Sequence, residues 1–161
     1  MKTLYIIRHA KSSWEFDVSD DKRPLNDRGI RDAGLVGEHL KTLVGSIDKV
    51  LCSPAKRAHS TAKIIISYLN VPEAVFSLEP DLYDFEGSQV IDVIKNCEDD
   101  INSLMIFGHN HAFTSIANLY GDQHIDNLPT AGVVAIEFEV DSWKNISVGK
   151  NLLTIFPKSL R

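Results

Sequence analysis

Two cysteines in 161 residues, Cys52 and Cys97, are too few for a disulfide framework. Both sit among apolar neighbours, where buried thiols are the expectation. No apolar run approaches the roughly 20 residues that span a bilayer. Met1-Lys2-Thr3 leads straight into an apolar stretch without the hydrophobic region and cleavage site of a signal peptide, so a cytoplasmic protein with no membrane association is expected. Proline and glycine are sparse, at six and nine. No Pro-, Gly- or Ser-rich linker and no internal repeat divides the chain, so residues 1–161 are read as one domain. Basic charge is also short: the formal net charge is −5, which argues against a nucleic-acid surface. The chain contains neither GxxxxGK[ST] nor GxGxxG, and no pair of acidic ligands stands near its histidines. Nucleotide-plus-magnesium chemistry therefore finds no support, and no cofactor or metal is expected.

What is present is an alternation of strand-like and helix-like segments. Leu4, Tyr5, Ile6 and Ile7 form a short buried-strand run, and Ile30, Ala33, Gly37, Leu40 and Val44 recur at helical spacing from a start near Asn26 or Asp27. "DKVLC" reads as a second strand, followed by a helix with Ser53 as its N-cap, Pro54 in its first turn, and Ala58, Thr61, Ala62, Ile65 and Leu69 facing inward. "AVFSLE" predicts a third strand and Val90, Ile91, Ile94 and Cys97 a third helix. "LMIF", ending at Gly108, predicts a fourth strand. Asn110 is placed to cap a fourth helix that buries Phe113, Ile116, Ala117 and Tyr120. "VVAIEFEV" and "NLLTIF" close the chain as strands, the former with Glu137 and Glu139 marking a wet face near an edge. The fold class is α/β: a three-layer sandwich with a mostly parallel sheet, helices on both faces and an antiparallel edge strand.

Ligands of such sheets bind beyond the carboxyl ends of the strands. Three strands here end in chemistry-bearing residues: Arg8 and His9 after the first, Ser53 followed by Arg57 after the second, and His109 after the fourth. All should meet on one rim. Two guanidinium forks, two imidazoles and helix N-termini suit a phosphoryl group. A neutral imidazole is a competent nucleophile, and flanking arginines disfavour its protonation, so His9 could attack phosphorus without a metal and form a phosphohistidine.

"LYIIRHAKSSW", "SPAKRAHSTA" and "MIFGHNHAF", in that order, resemble the histidine phosphatase superfamily, the phosphoglycerate-mutase-like enzymes with an Arg-His-Gly signature. With "DDKRPLNDRGIRDA" and the short chain, the resemblance is strongest to the SixA-type branch, associated with phosphohistidine phosphatase activity on signalling proteins. It runs from residue 3 to about residue 140. It implies that His9 is the phosphorylated nucleophile, that Arg8 and Arg57 bind the phosphate, and that His109 completes the pocket opposite. Arg23 matches a position that this branch keeps near the phosphate. Ala10 stands where the signature has glycine, a small-for-small change. The acid that protonates the leaving oxygen in many members has no clean match, and Glu79, Asp81, Asp84 and Glu86 all remain candidates.

Imidazole leaving from phosphohistidine has a conjugate acid near pKa ~6.5 and needs an acid less than an alkoxide does. The short interval between Arg57 and His109 leaves little room for a helical cap, so the pocket should be open. A phosphorylated protein of histidine-phosphotransfer type is then the expected partner, with a small phosphate ester as the alternative substrate. A non-catalytic phosphate- or phosphoprotein-binding module is the competing class, and a mutase is disfavoured because it needs an enclosed site. Lys11 is either a loop charge or a further phosphate or protein contact. His109 and His111 have the spacing of some metal sites but no carboxylate or cysteine partner. His39, His59 and His124 read as structural or solvent-facing residues.

Overall fold

The computed structural model describes residues 1–161. Its elements are β1 (Lys2–Arg8), α1 (Asp27–Leu40), β2 (Lys49–Cys52), α2 (Lys56–Ser67), β3 (Phe76–Leu78), α3 (Ser88–Lys95), β4 (Ser103–Gly108), α4 (Ala112–Tyr120), β5 (Val133–Phe138) and β6 (Lys150–Ile155). The six strands form one sheet in the order β3-β2-β4-β1-β5-β6. The first four of these run parallel, β5 is antiparallel to β1, and β6 is the antiparallel edge.

Alternation along the parallel strands splits the core in two. Leu4 and Ile6 of β1 and Leu104 and Ile106 of β4 join α3 and α4 in one cluster. Tyr5, Ile7, Met105 and Phe107 join α1 and α2 in the other. A strand covered on both faces reads as a continuous apolar run, as "LYII" and "LMIF" do. Cys52 and Cys97 are free and buried, and burial pushes both thiols up from their ordinary range.

Three local expectations change. Ile30 is 51% exposed, and Val36 takes its place on the buried stripe of α1. Ser53 does not cap α2, which begins behind Ala55. In β5 only Glu137 is half-exposed, because both faces of that strand are covered, while Glu139 is exposed just past its end and β5 does lie beside the edge strand. Alternating exposure appears in the edge strand β6 instead. Asn26 does cap α1, accepting from Gly29 N at 2.8 Å. The Asn110 side chain accepts from Thr114 N at 3.1 Å in the first turn of α4.

Gly29 decides how closely α1 approaches the loop that follows β1. A Cβ there would collide with the Lys11 carbonyl oxygen and lie 2.9 Å from its nitrogen. Gly29→Ala should therefore destabilise the fold by about 1–3 kcal/mol despite alanine's better helix propensity, since overpacking against backbone outweighs propensity. Urea denaturation checks this, and a stabilised variant would show that the loop yields at no cost.

Candidate active site

The strand ends converge because the hydrogen-bond ladder continues past them. Arg8 pairs with Gly108 and Cys52 with Phe107. One residue further, His9 N donates to Gly108 O and Ser53 N to Phe107 O, both at 3.0 Å. The turn after β1 is pinned to α2: Ala10 N donates to Thr61 Oγ1 (2.9 Å), whose hydroxyl donates to the Arg57 carbonyl (2.7 Å). From the other side, Ala131 turns through a positive φ of 58°. Its N–H thereby reaches the carbonyls of Arg8 and His9 at 3.1 and 3.0 Å.

These restraints bring His9, Arg57 and His109 together, with Arg8 at their edge. His9 is 7% exposed. Its Nδ1 lies 2.7 Å from the Ala10 carbonyl. A carbonyl only accepts, so Nδ1 carries the proton and Nε2 keeps its lone pair. Burial, joined by the charges of Arg57, Arg8 and Arg23, pushes the His9 pKa down to about 3 against the opposing Ala10 hydrogen bond. The ring is neutral at physiological pH. The His109 ring centroid stands 5.2 Å from that of His9. Its Nε2 is 2.8 Å from Ser53 Oγ, and its Nδ1 faces Arg57 Nη2 at 3.5 Å. Because guanidinium only donates, Nδ1 is the acceptor and Nε2–H donates to Ser53. Burial first, then His9 and Arg57, bring His109 to about 3 as well, with Asp20 opposing.

The arginines hold the most informative feature. Arg57 is 1% exposed, yet its Nε–H has no partner in the protein, and neither does the buried Nε–H of Arg8. A buried donor left without an acceptor costs about 1–3 kcal/mol. Two such donors beside a neutral imidazole fit a ligand with several acceptor oxygens. Three of the other four nitrogens donate within the protein. Arg8 Nη1 donates to Leu128 O at 2.9 Å. Arg57 Nη1 donates to Asp20 O (2.6 Å) and Nη2 to Asp20 Oδ2 (2.9 Å). Arg23 is buried as well, with Nη1 donating to Ser12 Oγ at 2.9 Å and its guanidinium 3.6 Å above the Trp14 ring. The Lys11 side chain is exposed and makes no hydrogen bond or ion pair. Its backbone carbonyl instead receives Asn26 N at 3.0 Å.

Asp20 is the carboxylate that touches this cage, and sequence reading passed over it. It sits in a short turn, Asp20–Lys22, three residues before Arg23, with Nε of Arg23 at 3.4 Å. Burial works against its charge, but hydrogen bonds from Tyr83 and Arg57 and the charges of Arg57 and Arg23 hold it at about 2. It is therefore ionised next to the anion pocket. Asp20→Asn should tighten competitive inhibition by inorganic phosphate about fivefold at pH 7, the effect of roughly 1 kcal/mol of relieved repulsion. An unchanged inhibition constant would show that this charge is not felt in the pocket.

None of the four carboxylates weighed as acids makes a hydrogen bond or ion pair with a cage residue. Asp84 Oδ2 accepts backbone N–H groups of Gly87, Gln89 and Val90, and its Oδ1 accepts that of Glu86, so it caps α3. Glu79 accepts from Asp81 N and lines, with Asp81, a cleft that also holds Lys49, Asp92 and Glu98. Glu86 is exposed. From the same segment it is the aromatics that reach the cage: Tyr83 and Phe85 have ring centroids 5.2 and 5.0 Å from that of His109. Among the other histidines, His39, His111 and His124 are exposed, and His59 stacks on Phe76. Nowhere do three or more His, Cys, Asp or Glu side chains gather in a group that could hold a metal ion, and no helix is long and apolar enough to cross a membrane.

An α/β sandwich with a buried histidine–arginine cage at the carboxyl ends of β1, β2 and β4 defines a phosphoryl-handling protein. The histidine phosphatase superfamily (branch 1) matches residues 4–100, and the chain belongs to that family of phosphatases. An uncharacterized protein of Mycobacterium leprae is 30% identical, covering 93% of this chain and 98% of that protein. Among solved structures, the protein histidine phosphatase SixA complexed with tungstate superposes with a TM-score of 0.78 at 20% identity over 99% of both chains. A protein of Agrobacterium tumefaciens assigned as a phosphohistidine phosphatase SixA gives a TM-score of 0.81 at 18% identity, over 97% of this chain and 98% of its own. Phosphoserine phosphatase of Entamoeba histolytica gives 0.68 at 16% identity over the full length of both.

Proposed function

We propose that this chain is a metal-independent phosphohydrolase that works through a phosphohistidine on His9, and that its substrate is phosphohistidine on a carrier protein. The supporting observation is the pair of partnerless buried Nε–H donors of Arg8 and Arg57 beside a neutral His9 whose Nε2 lone pair is unprotonated. In the first step, His9 Nε2 forms a bond to phosphorus while the bond to the leaving group breaks. Arg8 and Arg57 hold the phosphoryl oxygens, and His109 faces them from the other side. In the second step, water attacks the same phosphorus, the N–P bond breaks, and inorganic phosphate leaves with His9 restored.

Two features favour a protein-borne phosphohistidine. The segment between α2 and β4 contributes only short elements, α3 of eight residues being the longest, which leaves little chain for a helical cap over the cage. None of the four carboxylates weighed as acids hydrogen-bonds to a cage residue, and an imidazole leaving group asks least of one. SixA is itself described as a protein histidine phosphatase.

The test compares initial rates on a phosphorylated histidine-phosphotransfer domain, free phosphohistidine and a panel of phosphomonoesters, each with and without EDTA. The carrier protein is expected to give the highest kcat/KM, unaffected by the chelator. A small ester winning by more than about tenfold, or roughly 1.4 kcal/mol of transition-state discrimination, removes the protein substrate and keeps the phosphatase. Absence of turnover even on an activated aryl phosphate leaves a binding module, and rescue by added zinc would establish a metal enzyme.

A further inference from the structure

The segment from Trp14 to Lys22 is exposed at every residue, and it carries three large apolar side chains: Trp14 at 77% exposure, Phe16 at 57% and Val18 at 44%. Interleaved with them are Glu15 and Asp17, followed by Asp20 and Asp21. Its position is fixed at two points. Trp14 lies under the guanidinium of Arg23, and Asp20 grips Arg57 through both its backbone and its side chain. Residues 15–19 are strung between Trp14, which stacks on Arg23, and Asp20, which holds the cage arginine Arg57, so one end of the stretch is fixed at the cage. Phe85, 47% exposed, adds an apolar side chain beside His109.

We propose that this segment is a substrate-recognition collar that selects a phosphorylated side chain flanked on its own protein by basic and apolar residues. The inference rests on the phosphatase reading and specifies the surface that substrate presents. The partnerless Nε–H donors of Arg8 and Arg57, the latter fully buried, fix what enters the cage: an anion with several acceptor oxygens. The collar has the opposite preference. Its carboxylates repel a free anion or a phosphosite among acidic residues, and they attract lysine and arginine side chains at the phosphosite. Its exposed Phe16 and Val18 gain by being covered, as apolar side chains clustered at a functional mouth do. A partner that is locally anionic at one side chain and basic and apolar around it satisfies both. Nucleic acids and acidic phosphopeptides satisfy only the first.

The experiment uses two peptides with one phosphohistidine each, flanked by arginine and leucine in one and by aspartate and glycine in the other, with p-nitrophenyl phosphate as the substrate that has no flanking residues. The arginine–leucine peptide should have at least tenfold higher kcat/KM, and the gap should shrink in 1 M NaCl. A Glu15→Lys, Asp17→Lys double variant should invert the preference, and Phe16→Ser with Val18→Ser should weaken the preferred peptide alone. p-Nitrophenyl phosphate should stay within twofold in the serine variant, and in the lysine variant, which removes repulsion of its anion, it should be turned over no more slowly than by wild type. Equal rates on the two peptides, or parallel losses on p-nitrophenyl phosphate, overturn the collar while leaving the phosphatase intact. Should no substrate be turned over, the phosphatase reading falls. The collar is then judged by peptide affinities to the His9→Ala protein, where the same tenfold order supports it and equal affinities overturn it.

Discussion

Replacing His9 with alanine should eliminate turnover, by at least about 10⁴-fold, while leaving a folded protein, because a lost nucleophile has no substitute at its position. The Nδ1–Ala10 hydrogen bond leaves Nε2 as the reacting atom, and in the wild type rapid quenching with labelled substrate should trap phosphate on that nitrogen. The bond should be labile in acid. Label on a serine or on His109 would remove His9 from its role.

The same substitution has a second signature in stability. His9 and His109 are depressed to about 3 in the folded protein, whereas an unfolded histidine titrates near 6.5. Between those values the unfolded chain binds more protons than the folded one. Stability must therefore fall as pH drops from about 6.5 toward 3, by up to about 1.4 kcal/mol per pH unit for each histidine. Asp20, held near 2 by Tyr83 and Arg57, adds its own loss only below the ordinary carboxylate range. Urea denaturation at pH 7, 6, 5 and 4 should show this slope, and His9→Ala should reduce it by close to half. An unaltered slope would mean that His9 is charged in the folded state.

The layers and the convergence of Arg8, His9, Ser53, Arg57 and His109 were legible in the sequence because each rests on local pattern. Apolar runs mark covered strands, 3.6-residue spacing marks helices, and residues after consecutive parallel strands must share a rim. What was not legible depends on contacts between distant segments. Asp20 looks like one more charge in "SDDKRP", and only the folding of that loop against α2 places it on Arg57. In "PDLYDFEG" the acids drew attention, yet Asp84 is used by the backbone of α3 while Tyr83 and Phe85 face the cage. Ser53 read as a helix cap on composition alone. Its hydroxyl does receive Ala55 N at 3.3 Å, but its closer partner is His109, 56 positions away.

Arg57 should show the second-largest effect. Arg57→Ala removes a fully buried guanidinium that engages Asp20, His109 and, through its partnerless Nε–H, the incoming phosphoryl group. Loss of one positioned donor to transition-state charge commonly costs 10²- to 10³-fold, so a fall in kcat/KM of about 10³-fold is expected. The fall should lie mainly in kcat, because charge on the transferring oxygens is redistributed most at the transition state. Arg57→Lys supplies a charge without the planar fork. It cannot donate to the Asp20 carbonyl, the Asp20 carboxylate and a phosphoryl oxygen in that fixed geometry, so it should recover no more than about tenfold. Both variants should be compared with wild type for urea stability, since an ionised Asp20 beside Tyr83 loses its partner in Arg57→Ala. A lysine variant within threefold of wild type, at equal stability, would show that charge alone suffices and that the Nε edge of Arg57 does not hold the phosphoryl group.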